Sequence, residues 1–230
     1  TYPVYYNVIK SFDVEPVFSY AYLFEEDQWR LDFDLLESSI TSKTKMIVFS
    51  TPCNPSGSVY NKAELKAMAD VIIQYPDLYI ISDEIYEYIN FVGKHESIAQ
   101  FDFIYDRVIT VNGVSKGYAM TGWRIGYIGA PKWIADACEK MQGQFTSGTS
   151  SISQMAALEA VKANPSVSFE MRDAFKKRRD IVLGLLKEIP GLKTTIPDGA
   201  FYIFFDISSY FGKSHNSYSI KNSHDLSMFL

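Results

Sequence analysis

Lys116 and Arg124 stand eight positions apart in Ser115-Lys116-Gly117-Tyr118-Ala119-Met120-Thr121-Gly122-Trp123-Arg124-Ile125-Gly126-Tyr127. A lysine that forms a Schiff base needs a partly desolvated, electropositive setting to lower its pKa, and a phosphate dianion needs a forked donor such as a guanidinium. A cofactor carrying both an aldehyde and a phosphate makes both demands at once, and pyridoxal 5'-phosphate (PLP) is such a molecule. Taken alone, a Ser-Lys dipeptide is more often a pair of surface residues in a loop. The pairing gains meaning from the segments upstream.

In Leu78-Tyr79-Ile80-Ile81-Ser82-Asp83-Glu84-Ile85-Tyr86 a short apolar run is followed at once by acids and a tyrosine, the pattern of a buried strand ending in polar groups. An aspartate there can pair with a protonated pyridine nitrogen and keep the ring an electron sink. Tyr86 can donate to the ring's phenolic oxygen. The competing reading has Asp83 start a turn or cap a helix while Tyr86 packs. Adjacent residues on an extended strand point to opposite faces, so Asp83 and Glu84 are not read as a carboxylate pair. A second run, Lys45-Met46-Ile47-Val48-Phe49-Ser50, leads into Thr51-Pro52-Cys53-Asn54-Pro55-Ser56-Gly57. Two prolines and a glycine can hold Asn54 rigidly enough to bond a ligand atom, and Asn54-Pro55 is a candidate cis bond. A plain Asn-Pro turn is the alternative.

The elements that must position these residues alternate. Apolar runs near Met46, Tyr79, Val108 and Ile125 are interleaved with amphipathic helical patterns at Ala63 to Gln74 and Trp133 to Gln144, predicting an α/β arrangement around a mostly parallel sheet. Asn54, Asp83 and Lys116 each follow the carboxyl end of a predicted strand, where open α/β sheets bind ligands. Ser151 to Lys162 reads as a helix and Phe169 to Glu188 as a long one. Gly199 to Asp206 reads as a strand of a second domain, followed by a polar loop from Ser208 to Ser223.

In order and spacing these segments resemble the class I aminotransferases, PLP enzymes of fold type I, and most closely their bacterial aspartate aminotransferase-like branch. The family's Asn-Pro-[Thr/Ser]-Gly stands as Asn54-Pro55-Ser56-Gly57, its Asp-Glu-x-Tyr as Asp83-Glu84-Ile85-Tyr86, and its Ser-Lys with Gly-x-Arg-x-Gly as Ser115-Lys116 with Gly122-Trp123-Arg124-Ile125-Gly126. The likeness extends into Gln142 to Ser147 and Asp198 to Tyr202, so it covers nearly the whole chain. It implies that Lys116 holds the cofactor's aldehyde carbon, Asp83 its pyridine nitrogen, Tyr86 and Asn54 its ring oxygen, and Arg124 its phosphate. It further implies that Tyr2 stacks on the ring. Many relatives carry a phosphate-binding serine three residues before the lysine; here Gly113 stands there, which leaves Ser115 as the candidate hydroxyl donor.

The resemblance implies a three-layer large domain over residues 1–188, ending in a long interdomain helix, and the beginning of a smaller α+β domain over 189–230. The family's upstream phosphate-binding turn and its C-terminal arginine for the substrate carboxylate have no counterpart in the sequence, so the chain is expected to be an internal segment of a longer enzyme. The implied activity is ping-pong transfer of an amino group between an amino acid, with aspartate leading, and a 2-oxo acid, with 2-oxoglutarate leading. Homodimerisation of the full-length form is also implied. A PLP lyase or synthase of the same fold, and a non-catalytic PLP-sensing domain of a regulator, are the rival readings.

Composition points the same way. Of the residues, 47% are hydrophobic and the net charge is −5, which suggests neither nucleic acid nor a membrane as partner. The basic run Lys176-Lys177-Arg178-Arg179 reads as a solvated helix face. Cys53 and Cys138 form no CxxC, which fits a reducing cytoplasm, and His95, His215 and His224 lack metal-ligand spacing.

Overall fold

The computed structural model describes residues 3–17, 22–25, 28–216 and 218–230. In chain order the elements are α1 (Pro3–Lys10), β1 (Tyr22–Glu25), β2 (Gln28–Leu31), α2 (Phe33–Ser39), β3 (Met46–Ser50), α3 (Lys62–Ile72), β4 (Tyr79–Asp83), β5 (Val108–Gly113), β6 (Gly126–Gly129), α4 (Lys132–Phe145), α5 (Ser151–Lys162), α6 (Ser166–Lys187), β7 (Lys193–Thr194), β8 (Phe205–Asp206), β9 (Ser214–His215), β10 (Tyr218–Ser219) and α7 (Ser223–Phe229). The central sheet has the order β3-β4-β5-β6. Its first three strands are parallel and β6 is antiparallel to β5, so the fold is α/β with a mixed, mostly parallel sheet.

Helix α3 illustrates how the sequence builds the layer over this sheet. Asn61 caps it, its side chain accepting from the amides of Ala63 and Glu64 at 2.8 and 3.0 Å, while the Glu64 carboxylate accepts from the Asn61 amide at 2.8 Å. Leu65, Met68, Ala69 and Ile72 then fall on one helical stripe and are all buried. They pack with Phe49 and Ile80 of the sheet, with Leu78 just before β4, and with Ile98 and Ile104 from the turns before β5. Burying each of the larger side chains is worth about 1.5–3 kcal/mol, so the stripe contributes several kcal/mol to holding the helix on the sheet.

The structure departs from the sequence reading in three places. Only Phe205–Asp206 of the expected strand at Gly199 to Asp206 is a strand, paired antiparallel with Lys193–Thr194. Upstream of it the Ala200 backbone is left-handed (φ +57°), and its amide bonds the Ile89 carbonyl at 2.8 Å while the Gly199 amide bonds the Gly57 carbonyl at 2.9 Å. The segment's backbone groups are spent on loops beside the sheet, so it does not run as a regular strand. Within the expected polar loop lie the β9–β10 hairpin and, beginning at its last residue, α7, which Asn222 caps by accepting from the Asp225 amide at 2.9 Å. Finally, the basic run is not uniformly solvated: Arg179 turns inward, donates to the Pro197 carbonyl at 2.8 Å and lies over the Phe91 ring. Lys176, Lys177 and Arg178 are exposed as expected.

Candidate active site

Three parallel strands deliver three candidate residues to one end of the sheet. Ser50 at the end of β3 is in register with Asp83 at the end of β4, and Asp83 with Val111 of β5. The loops carrying Asn54 and Lys116 therefore leave the sheet on either side of Asp83.

The Asn54 loop is tied to its neighbours through the backbone. The Thr51 amide donates to the Asp83 carbonyl at 3.0 Å, and the Thr51 hydroxyl accepts from the Tyr60 amide at 3.1 Å. Both Thr51-Pro52 and Asn54-Pro55 are cis. A turn closed by the Gly57 amide on the Cys53 carbonyl at 2.9 Å brings the Asn54 carboxamide near the Tyr86 hydroxyl, where it opposes the rise in that phenol's pKa.

Asp83 is half-buried, and one carboxylate oxygen accepts from the Ile85 amide at 3.2 Å while the other accepts from the Tyr5 hydroxyl. Glu84 points to the other face and is only 3% exposed. There it is held by the hydroxyls of Ser82 and Ser97 at 2.9 and 2.6 Å and by His95 Nε2 at 2.8 Å. Alternation along the strand thus leaves Asp83 in the site without Glu84, and His95 is a partner of Glu84 on the other face. Among the described residues no cluster of His, Cys, Asp and Glu could hold a metal ion.

Tyr86 is buried, and its hydroxyl lies 2.6 Å from that of Tyr202. Burial pushes its phenol well above the ordinary tyrosine range, so it keeps its proton at neutral pH. Lys116 Nζ sits 5.9 Å from the Tyr86 ring centroid and 5.6 Å from that of Phe201. Two aromatic rings thereby flank the amine and limit water around it. The loop is fixed from behind: the Ser168 hydroxyl of α6, 1% exposed, donates to the Gly117 carbonyl at 2.6 Å.

Ser115 and Arg124 emerge together because Gly113 is in register with Gly126 across β5 and β6. Arg124 is exposed and left-handed (φ +56°), and its guanidinium donates to the Thr121 carbonyl at 2.8 Å. Among the described residues no hydrogen bond joins it to Lys116 or Asp83. Gly113 leaves no space for a side chain, since a Cβ there would lie 2.8 Å from the Ile125 carbonyl oxygen. Tyr2 lies outside the described residues. The sequence reading missed Tyr5 as a partner of Asp83 and Tyr202 as a partner of Tyr86. Tyr202 lies within the quoted Asp198 to Tyr202 segment, whereas Tyr5 lies in none of the quoted motifs.

The chemistry of these donors matches PLP group for group. Asp83 offers a carboxylate for a pyridinium, the Asn54 and Tyr86 pair offers donors for a ring oxygen, and Lys116 offers an amine for an aldehyde. Arg124 and Ser115 offer donors for a phosphate at the end of β5 and β6. By contrast, an apolar cavity of about 610 Å³ between α4 and the sheet, lined by Met46, Tyr79, Trp133 and Phe145 among others, includes none of these residues. No helix among the described residues is long and apolar enough to cross a membrane.

Comparison with known proteins gives a family. The model for aminotransferase class I and II matches residues 1–226. The bifunctional aspartate aminotransferase and glutamate/aspartate-prephenate aminotransferase of Petunia hybrida is 44% identical over 209 residues, covering 89% of this chain and 44% of that protein. The aspartate/prephenate aminotransferase of Cereibacter sphaeroides is 41% identical, with 82% of this chain and 48% of the other covered. Among solved structures, the aspartate aminotransferase from Rhizobium meliloti superposes with a TM-score of 0.82 at 38% identity, over 87% of this chain and 51% of that one. The chain spans about half the length of the relatives it matches. With the matched region running through every strand that carries a candidate residue, the chain belongs to the class I and II aminotransferases, a PLP-dependent family close to the aspartate/prephenate aminotransferases.

Proposed function

We propose that this chain forms the cofactor-binding part of a PLP-dependent aminotransferase that moves an amino group from aspartate to a 2-oxo acid by a ping-pong mechanism. The observation that carries the reading is the convergence of Lys116, Asp83 and the Asn54–Tyr86 pair at the carboxyl ends of three parallel strands. 2-Oxoglutarate is the leading acceptor, and relatives named aspartate/prephenate aminotransferases put prephenate beside it.

The chemistry that PLP supplies when bound is withdrawal of the electron pair left at the substrate's Cα. Asp83 keeps a proton on the pyridine nitrogen by offering it a carboxylate, which the Ile85 amide and Tyr5 orient. Tyr86, held neutral by burial, donates its proton to the ring oxygen while Asn54 fixes its direction. With PLP in the site the free amine of Lys116 would be the group that moves the Cα proton, and the rings of Tyr86 and Phe201 would limit water around it. Arg124 and Ser115 hold the phosphate. We further propose that the full-length protein is a homodimer, as the resemblance implies.

The test is the half-reaction with aspartate, followed by absorbance of the bound cofactor and by chromatography of the oxo acid released. Oxaloacetate is the expected product, formed once per site without an acceptor, and Lys116→Ala reduces its rate at least a hundredfold. Alanine with carbon dioxide, or fumarate with free ammonia, in place of oxaloacetate would identify a lyase, and substantial turnover by Lys116→Ala would refute the assignment.

A further inference from the structure

The Tyr86–Tyr202 contact has a feature the proposed reaction does not by itself require. The phenolic oxygen of Tyr86 bears one proton, and the Tyr202 hydroxyl already lies 2.6 Å from it. If Tyr86 gave its proton to Tyr202, it would have none to give to a ligand. The Tyr202 hydroxyl has no other hydrogen bond among the described residues, so its own proton is available for the contact.

Tyr202 is also held firmly enough to choose a direction. Ala200, fully buried and left-handed, is pinned through its amide to Ile89, and Gly199 is pinned to Gly57 in the Asn54 turn. The Tyr202 ring meets the Tyr86 ring edge-on, with centroids 5.8 Å apart and planes at 80°, and packs against Phe201 at 4.8 Å. Burial keeps the Tyr86 phenol protonated, so it stays a donor throughout the physiological range.

We propose that Tyr202 is a positioning residue that donates its phenolic proton to the Tyr86 oxygen, committing the Tyr86 proton to the ring oxygen of bound PLP. This role rests on the PLP reading above. A donor feeding a donor polarises the second O–H and strengthens its bond to an anionic oxygen. Loss of the Tyr202 hydroxyl therefore weakens the hold on the negative ring oxygen and favours protonated forms of the bound cofactor. Tyr202 carries this effect only through Tyr86.

The experiment is a four-way comparison of the full chain, Tyr202→Phe, Tyr86→Phe and the double variant, each loaded with PLP and titrated by visible absorbance. Tyr202→Phe raises the pH midpoint of the cofactor band by about 0.3 unit or more, the scale expected for cooperative strengthening of one charge-assisted hydrogen bond. In the Tyr86→Phe background the same substitution moves the midpoint by less than a third of that. No shift in the native background, a fall, or an equal shift in both backgrounds would overturn the role. Melting of the ligand-free variants gives a readout independent of PLP: the double variant lowers Tm by less than the sum of the single variants, and strict additivity would remove the hydrogen bond on which the role depends. A native chain that takes up no PLP sinks the PLP reading and this role with it, a result distinct from PLP that binds without a shift.

Discussion

Gly57 closes the Asn54 turn, and replacing it with alanine should damage both the fold and the cofactor site. Two costs add. Its φ of +72° is left-handed, which costs a residue bearing Cβ about 1–2 kcal/mol. The new Cβ would stand 2.4 Å from Pro197 Cβ and 3.0 Å from the Gly199 carbonyl oxygen. Neither is the loose end of a flexible chain: Arg179 holds the Pro197 carbonyl at 2.8 Å, and the Gly199 amide is bonded to Gly57 itself at 2.9 Å. Overpacking of this kind costs about 1–3 kcal/mol, bringing the total to roughly 2–5 kcal/mol. With a urea slope of about 2 kcal/mol/M, the unfolding midpoint of Gly57→Ala should fall by about 1–2.5 M at unchanged slope. Gly212→Ala is the internal control, since Gly212 has φ +82° and nothing within 4 Å of an added Cβ. It pays the backbone cost alone, and the difference between the variants isolates the clash with Pro197 and Gly199. Equal midpoint losses for the two variants would refute the interlock between the Asn54 turn and the 197–200 segment.

Two further outcomes follow from particular contacts. Ser168→Ala removes the buried donor to the Gly117 carbonyl and should cost about 1 kcal/mol in urea unfolding, together with slower reaction at Lys116; a variant unchanged in both would mean the tether is idle. Glu87 has its carboxyl pushed up, chiefly by burial, with Glu84 adding to the rise and His95 and Asn112 opposing it. Because its folded pKa is raised, its contribution is fully favourable below the unfolded value and is lost as pH rises through the folded value. Glu87→Gln should therefore gain thermal stability over the parent at pH 7 relative to pH 4, and a gain larger at pH 4 would contradict the sign.

Much of the site was legible because its residues follow short strands rich in β-branched residues, where local sequence decides the conformation. The run Tyr79 to Asp83 specifies a buried strand, and strand alternation alone separates Asp83 from Glu84. The α3 stripe and its Asn61–Glu64 cap are likewise local, and the helix begins within a residue of its expected start. What escaped was long-range. Tyr86 and Tyr202 are 116 residues apart, and in a chain with 16 tyrosines nothing in the spacing says which phenols meet. Tyr5 and Asp83 are 78 residues apart and pose the same problem. The apolar run Ala200 to Phe205 has strand composition, yet the backbone amides before it bond the Asn54 turn and the Ile89 loop, so tertiary pairing overrides propensity. At α7 the cap at Asn222 was present in the sequence but sat inside a stretch read as polar loop.

The central claim is that Lys116 is the amine that holds PLP. Its most direct test is borohydride reduction of the full chain after incubation with PLP, followed by peptide mapping of the product. The account predicts loss of the visible cofactor band on reduction and a single pyridoxyl group on Lys116, absent from Lys116→Ala. A pyridoxyl group on a different lysine, or none on a chain whose far-ultraviolet spectrum shows it folded, would contradict it.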